Sequence, residues 1–160
     1  MLFKKRTEGN AGEGTEGRRR EHFLKRAASR GERGDSLRLK QVADDIGLKV
    51  EELKGLLPVW AEGGWVEQAG SRWKLTRKGW EEGRQFLRAH RIYESYLAER
   101  TGLEPGKWHE EADRLEHELD SETIDQLARR LNHPRFDPHG DAIPTRRLEM
   151  QEPSGLLLSQ

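Results

Sequence analysis

The sequence predicts a mainly α-helical chain with a single small β-hairpin near its middle. Three observations carry that expectation. Apolar residues recur at three- and four-residue spacing through most stretches between turn signals. Alternation is confined to two short runs, Trp65–Gln68 and Arg72–Thr76, on either side of Ala69-Gly70-Ser71. Charged residues make up 36% and hydrophobic ones 32% of 160 residues, a lean core that points to a helical, partly extended protein burying further surface by oligomerising.

Residues 1–18 are rich in glycine and charge and read as a flexible tail or linker. Met1-Leu2-Phe3 before Lys4-Lys5-Arg6 has two readings: a plain tail, or the cytoplasmic end of a membrane helix with its positive residues inside. Arg19–Ser29 follows as a helix with Phe23, Leu24 and Ala27 at core spacing, then a loop over Arg30–Asp35. Leu39–Ile46 is a short helix, and Gly47 turns the chain into another over Val50–Ala61, which Gly63-Gly64 ends. Pro58 falls well inside that helix. A proline there removes a hydrogen bond and crowds the carbonyl of Lys54 at a cost of about 3 kcal/mol, so a kinked or shortened helix is expected. After the hairpin, Thr76 caps a long helix running to about Thr101. Helix, helix–turn–helix, hairpin and helix is the order of a winged helix-turn-helix, placed at residues 19–82.

The second half, residues 83–144, reads as helical. Gly102–Gly106 is a turn before a helix from Lys107 to about Leu119, and Asp120-Ser121 caps a last helix over Glu122–Leu131. The prolines and glycine of residues 133–144 forbid regular structure, and residues 145–160 read as disordered.

Composition removes several classes of function. Lys plus Arg equals Asp plus Glu at 29 each, so nucleic-acid binding would need a local basic patch. The absence of cysteine excludes disulfides, thiolate metal sites and cysteine catalysis. No apolar run reaches membrane-spanning length, and residue 1 is not followed by the apolar core of a signal peptide.

Chemistry concentrates in two places. In Trp108–Asp120, the residues His109, Asp113, Glu116 and His117 fall at i, i+4, i+7 and i+8, one stripe of a helix, with Ala112, Leu115 and Leu119 forming an apolar stripe beside it. One helix upstream, His90 and Glu94 sit at i, i+4. Such spacing is also that of exposed ion pairs. Two clusters on two helices could nevertheless close a coordination shell that neither completes alone. Leu115, Leu119, Ile124, Leu127 and Leu131 present more apolar surface than so small a domain is expected to cover, which predicts a homodimer seam there.

With HRIYE at 90–94, HEEADRLEH at 109–117 and NHPRFDPHGDAIP at 132–144, the chain resembles the diphtheria-toxin-repressor family of iron- and manganese-dependent transcriptional regulators over residues 19–144. The resemblance implies a winged helix followed by a metal-binding and dimerisation domain, with no SH3-like third domain expected in these residues. It implies one metal site from His90, Glu94 and His109 and another from Asp113, Glu116 and His117 with His22. One to two divalent ions per protomer are expected, Glu116 and His117 mattering most. An all-oxygen-and-imidazole set suits Mn²⁺ or Fe²⁺, and Zn²⁺ or Co²⁺ could also bind. His22 departs from the family's usual residue. Lys25 stands where manganese-type members carry a second carboxylate, which argues against a two-manganese cluster of that kind. His133 and His139 are read as ordering their loop, and the tryptophans as packing residues.

The recognition stretch, residues 48–64, is less orthodox. Glu51 and Glu52 face where phosphates would lie, and only Lys49 and Lys54 are basic. Arg38, Lys40, Arg72 and Lys74, with Arg77 and Lys78, could hold phosphates through the flanks and wing, or form an ordinary solvated surface. Three functions are open: a cytoplasmic metal-dependent repressor that binds double-stranded DNA, weakly if the wing and flanks alone hold it; a cytosolic metal-sensing domain that has lost DNA binding, joined to a metal-transporter membrane permease in the same polypeptide; and a metalloenzyme. No nucleophile–base pair appears, so the chain is not expected to be an enzyme.

Overall fold

The computed structural model describes residues 11–32 and 38–149. Six helices and one hairpin follow in order: α1 Ala11–Glu32, α2 Leu39–Asp45, α3 Val50–Glu62, β1 Val66–Ala69, β2 Arg72–Leu75, α4 Arg77–Arg100, α5 Pro105–Leu115 and α6 Ser121–Arg130. The first helix begins at Ala11, inside the stretch expected to be a flexible tail. Gly14 and Gly17 have no side chains to pack there and do not interrupt it. Residues 1–10, 33–37 and 150–160, including most of the expected disordered end, lie outside the described residues.

Two apolar cores are strung along one chain. The first gathers Phe23, Leu24, Ala27 and Ala28 of α1 with Val42 and Ala43 of α2, Leu53, Leu57 and Trp60 of α3, and Val66 and Leu75 of the hairpin. Gly47 turns α2 into α3 at φ 69°, a conformation that costs a residue with a Cβ. Contrary to the expectation for Pro58, α3 runs on unshortened to Glu62. Leu53, Leu57 and Trp60 bury one face fully, while Lys54 and Pro58 lie on the exposed face, where water can satisfy the carbonyl released by the proline. In the hairpin Val66 pairs with Leu75 and Ala69 with Arg72.

Thr76 caps α4 as expected, its hydroxyl oxygen accepting from Gly79 N–H at 3.1 Å. At 24 residues α4 is about 36 Å long. The expected boundary at 82/83 falls inside it, so one helix serves both halves. Gly83 is the crossing point with α1: a Cβ there would stand 2.5 Å from the carbonyl oxygen of Leu24. That close approach brings the polar flank of α1 against the middle of α4.

The second core packs Ala89, Ile92, Tyr93 and Leu97 of α4 against Ala112, Leu119, Ile124, Leu127, Ala128, Leu131 and Ile143. This corrects the expected dimer seam. Leu119, Ile124, Leu127 and Leu131 are buried within the protomer, and Leu115 packs partly buried at the margin, because α6 folds back on α4. Asp120 caps α6 as expected, accepting from Thr123 N–H at 2.8 Å. Residues 133–144 form no helix. They return along α4, held by Arg88 Nη1 donating to Pro144 O at 2.8 Å and by a single bridge between Phe136 and Ala142.

Ile124→Asp would leave an unpaired carboxylate in this second core and is expected to cost about 3–5 kcal/mol. Urea unfolding followed by circular dichroism measures it. A variant of unchanged stability that merely dissociated would restore Ile124 to a subunit seam.

Candidate metal centre

The polar residues of α1, α4 and α5 meet where α1 crosses α4. The expected four-residue stripe does not form on one helix. Helix α5 stops at Leu115, Glu116 is its cap, and His117 lies in the following turn. That turn swings Leu119 into the core while Glu116 stays aimed inward and buried, 1% exposed.

One side of the centre is built from α4 and α5. His90 and Glu94 project from successive turns of α4, both buried, and His109 reaches them from α5. His90 Nε2 lies 3.1 Å from His109 Nδ1 and 3.6 Å from Glu94 Oε2, and His109 Nδ1 lies 3.1 Å from Glu94 Oε1. Arg26 of α1 donates to His109 Nε2 at 3.0 Å, which leaves the ring proton on Nδ1, between Glu94 and His90. His139 closes this side from the returning tail, its Nε2 3.5 Å from Glu94 Oε1. A cavity of about 180 Å³ opens here, lined among others by His90, Glu94, His109, Asp137, His139 and Asp141. Besides ordering its loop through its N–H to Asp137, His139 therefore faces the centre.

The other side is organised around Lys25 of α1, 1% exposed. Its Nζ donates to Asp113 Oδ1 at 2.5 Å and to Glu116 Oε2 at 2.8 Å, and lies 3.3 Å from His90 Nδ1. His90 Nδ1 is 2.6 Å from Glu116 Oε2 and 3.1 Å from Asp113 Oδ1. His117 turns its Nδ1 to Glu21 of α1 at 2.6 Å and its Nε2 to Glu116 Oε1 at 3.3 Å. His22 Nε2 stands 3.7 Å from Asp113 Oδ1, too far for a hydrogen bond, and is buried with no such bond.

Electrostatics follow from this packing. Burial works against the charged forms of Glu94, Asp113 and Glu116, yet all three are held below the usual carboxylate range. For Glu94 the His109 hydrogen bond and the imidazoles of His90, His109 and His139 prevail; for Glu116 the His90 hydrogen bond and the Lys25 charge do. Asp113 is lowered by His22, His90 and Lys25. Burial also works against charge on His90, but its bonds with Asp113 and Glu116 raise it above an ordinary imidazole. Burial lifts Asp137 despite two backbone N–H donors.

Two groups of donors lie within 4.8 Å of one another: His90, His109 and Asp113; and His22, Asp113 and Glu116. The donor chemistry fits a divalent ion on the His90–Glu94–His109 side, where oxygen and imidazole nitrogen converge without an intervening cation. On the Asp113–Glu116 side an ammonium already holds the oxygens. Spacing along the chain brings out the two clusters. The inward turn of Lys25, the approach of His139 and the pairing of His117 with Glu21 depend on tertiary folding and leave no local signal.

The expected DNA-contact residues all sit on the winged helix. Arg38, Lys40, Lys49, Lys54, Arg72 and Lys74 are exposed. Lys54 pairs with Glu51 at 3.0 Å and Lys74 with Glu67 at 2.9 Å. Glu52 caps its own helix, accepting from Lys49 N–H at 2.9 Å.

Residues 76–145 match the family described as "Iron dependent repressor, metal binding and dimerisation domain". A probable metal transport system membrane protein of Chlamydia trachomatis is 36% identical over 83 residues, 52% of this chain and 18% of that protein. The iron-dependent repressor IdeR of Mycobacterium bovis is 35% identical over 82 residues, 51% of this chain and 36% of that protein. The chain thus spans only a minor part of the curated relatives it matches. Among solved structures, a manganese-dependent transcriptional repressor in complex with manganese superposes with TM-score 0.77 and 27% identity, covering 84% of this chain and 63% of that one. The manganese regulator SloR gives TM-score 0.75 at 26% identity over the same shares.

Because folding lowers Glu94, Asp113 and Glu116, their contribution to stability is complete above the unfolded carboxylate range of about 4 and is lost as pH falls through the lower folded values. In chelator, stability from urea unfolding is expected to rise from pH 7 to pH 5 as the raised His90 takes up its proton ahead of the unfolded chain, and to decline below about pH 4. Glu116→Gln, which leaves Lys25 buried with Asp113 alone, is expected to cost about 3–5 kcal/mol at pH 7 and to flatten that decline. An unchanged slope would mean that Glu116 is not ionised in this centre.

Proposed function

We propose that this chain, a member of the iron-dependent-repressor family through residues 76–145, is a metal-dependent DNA-binding transcriptional regulator of metal homeostasis responding to Mn²⁺ or Fe²⁺. The convergence of His90 and Glu94 from α4 with His109 from α5 carries this reading, with His90 Nε2 and His109 Nδ1 3.1 Å apart. His139 is placed to add a further donor. A bound ion supplies two positive charges and a fixed preference for oxygen and nitrogen donors.

The chain's own residues do the rest. Glu116 holds the proton on His90 Nδ1, so that Nε2 offers its lone pair to the cluster. A protonated His90 cannot offer Nε2 to a cation, so binding releases protons and weakens as pH falls through the raised range of His90. Positive charge beside His109 repels the Arg26 guanidinium that now donates to it. Occupancy is thereby felt by α1, whose opposite face is the core of the winged helix. Arg38, Lys40, Lys49 and Arg72 then serve as phosphate contacts. The dimer expected of this family draws on the partly buried rim of Tyr96, Leu103 and Trp108 rather than on the buried Leu119, Ile124, Leu127 and Leu131.

A second reading is favoured by the first turn of α3. Glu51 and Glu52 are exposed there, and Glu51 neutralises Lys54. On that reading the chain senses metal beside a membrane permease and does not read an operator, as the partial match to chlamydial metal-transport membrane proteins suggests. Among the described residues no helix is long and apolar enough to cross a membrane.

Titration calorimetry with Mn²⁺ is expected to give saturable binding that His109→Ala and Glu94→Gln each weaken at least about tenfold, and that falls with pH. Light scattering of the Mn²⁺-loaded protein is expected to give twice the 18.5 kDa chain mass. A mobility-shift assay against the region beside the gene separates the two readings. A regulator reaches about 10⁻⁸ M and only with metal, whereas non-specific holding lies near 10⁻⁴ to 10⁻⁶ M regardless of sequence. Unaltered Mn²⁺ binding in both variants would overturn the metal site.

A further inference from the structure

We propose that Lys25 is a built-in cation standing in for a second divalent ion, so that each protomer takes up one ion and keeps α1 docked with none. The proposal builds on the metal-site reading above only for where the one ion goes. An ammonium has three N–H donors, and carboxylate oxygens of Asp113 and Glu116 accept from Lys25. Asp113 Oδ1 at 2.5 Å, Glu116 Oε2 at 2.8 Å and His90 Nδ1 at 3.3 Å surround Nζ, with Glu116 Oε1 at 2.7 Å as an ion-pair neighbour. At 1% exposure the lysine is as buried as the core residues Phe23 and Trp60. A charge that deep persists only when partners of opposite sign enclose it.

These partners are also the donors a second ion would need. Asp113 and Glu116 form one three-donor group with His22, and Asp113 belongs to the other as well. An ion on those oxygens would sit against the ammonium they already hold, cation beside cation, with Lys25 and Glu116 both buried. The carboxylates cannot serve both. Lys25 therefore makes the junction an ion would make, from α1 to Asp113 of α5, the Glu116 cap and His90 of α4. It makes that junction permanently, because it is part of the chain. Metal dependence is left to the His90–Glu94–His109 side, which reaches α1 through Arg26.

Native mass spectrometry with excess MnCl₂ tests the proposal on the full chain. Wild type is expected to carry one Mn²⁺ per protomer, and Lys25→Met, which keeps the bulk and removes the charge, one ion more than wild type. Lys25→Met is also expected to melt lower than wild type in EDTA and to regain that loss in Mn²⁺. Two ions in wild type, or no additional ion in Lys25→Met, would overturn the proposal. Should Lys25→Met fail to fold without metal, the wild-type count and Lys25→Gln refolded in MnCl₂ decide by the same criterion. His109→Ala separates the two claims. Loss of the wild-type ion in that variant upholds the His90–Glu94–His109 site. An ion retained there refutes that site while the additional ion in Lys25→Met still stands or falls on its own.

Discussion

The structure depends on one buried charge group: the Lys25 ammonium against Asp113 and Glu116, with His90 sharing their oxygens. Each member would be costly to bury alone, and each is tolerable because the others neutralise it. Since Lys25 comes from α1, His90 from α4 and the carboxylates from α5 and its cap, satisfying the group fixes three elements relative to one another. Apolar packing alone would not be so selective, because it resists sliding less than a set of directed contacts does.

That group also explains how one chain of two cores can act as a unit. Helix α1 gives Phe23, Leu24, Ala27 and Ala28 to the winged helix and Lys25 and Arg26 to the centre. Helix α4 gives Gly83 to the crossing and His90 and Glu94 to the centre. The imidazole of His90 lies between the two sides, with Nδ1 toward the lysine group and Nε2 toward Glu94 and His109. That single ring touches both sides of the centre and, through Lys25, the helix on which the winged helix is built.

Much of this was legible in the order of residues. Local signals placed the helices, the hairpin and the two caps at Thr76 and Asp120, and the i, i+4 spacing of His90 and Glu94 put both on one face of α4. What failed did so where distant parts of the chain decide. Pro58 was expected to shorten α3, but the burial of Leu53, Leu57 and Trp60 holds the helix through it. Ile124, Leu127 and Leu131 read as an interface because the pattern reveals an apolar face without revealing that α6 folds onto α4. Nothing near Lys25 marks it as turning inward, since a lysine on the polar flank of an amphipathic helix ordinarily meets water. His139 sits far along a loop whose return to Glu94 no local rule foretells.

The division of the centre into a metal side and a lysine side is tested most directly by anomalous diffraction at the manganese edge from crystals grown in MnCl₂. One peak per protomer, bounded by His90, Glu94 and His109 with Lys25 still paired to Asp113 and Glu116, is the predicted result. A peak among Asp113, Glu116 and His117 with the lysine displaced would contradict it.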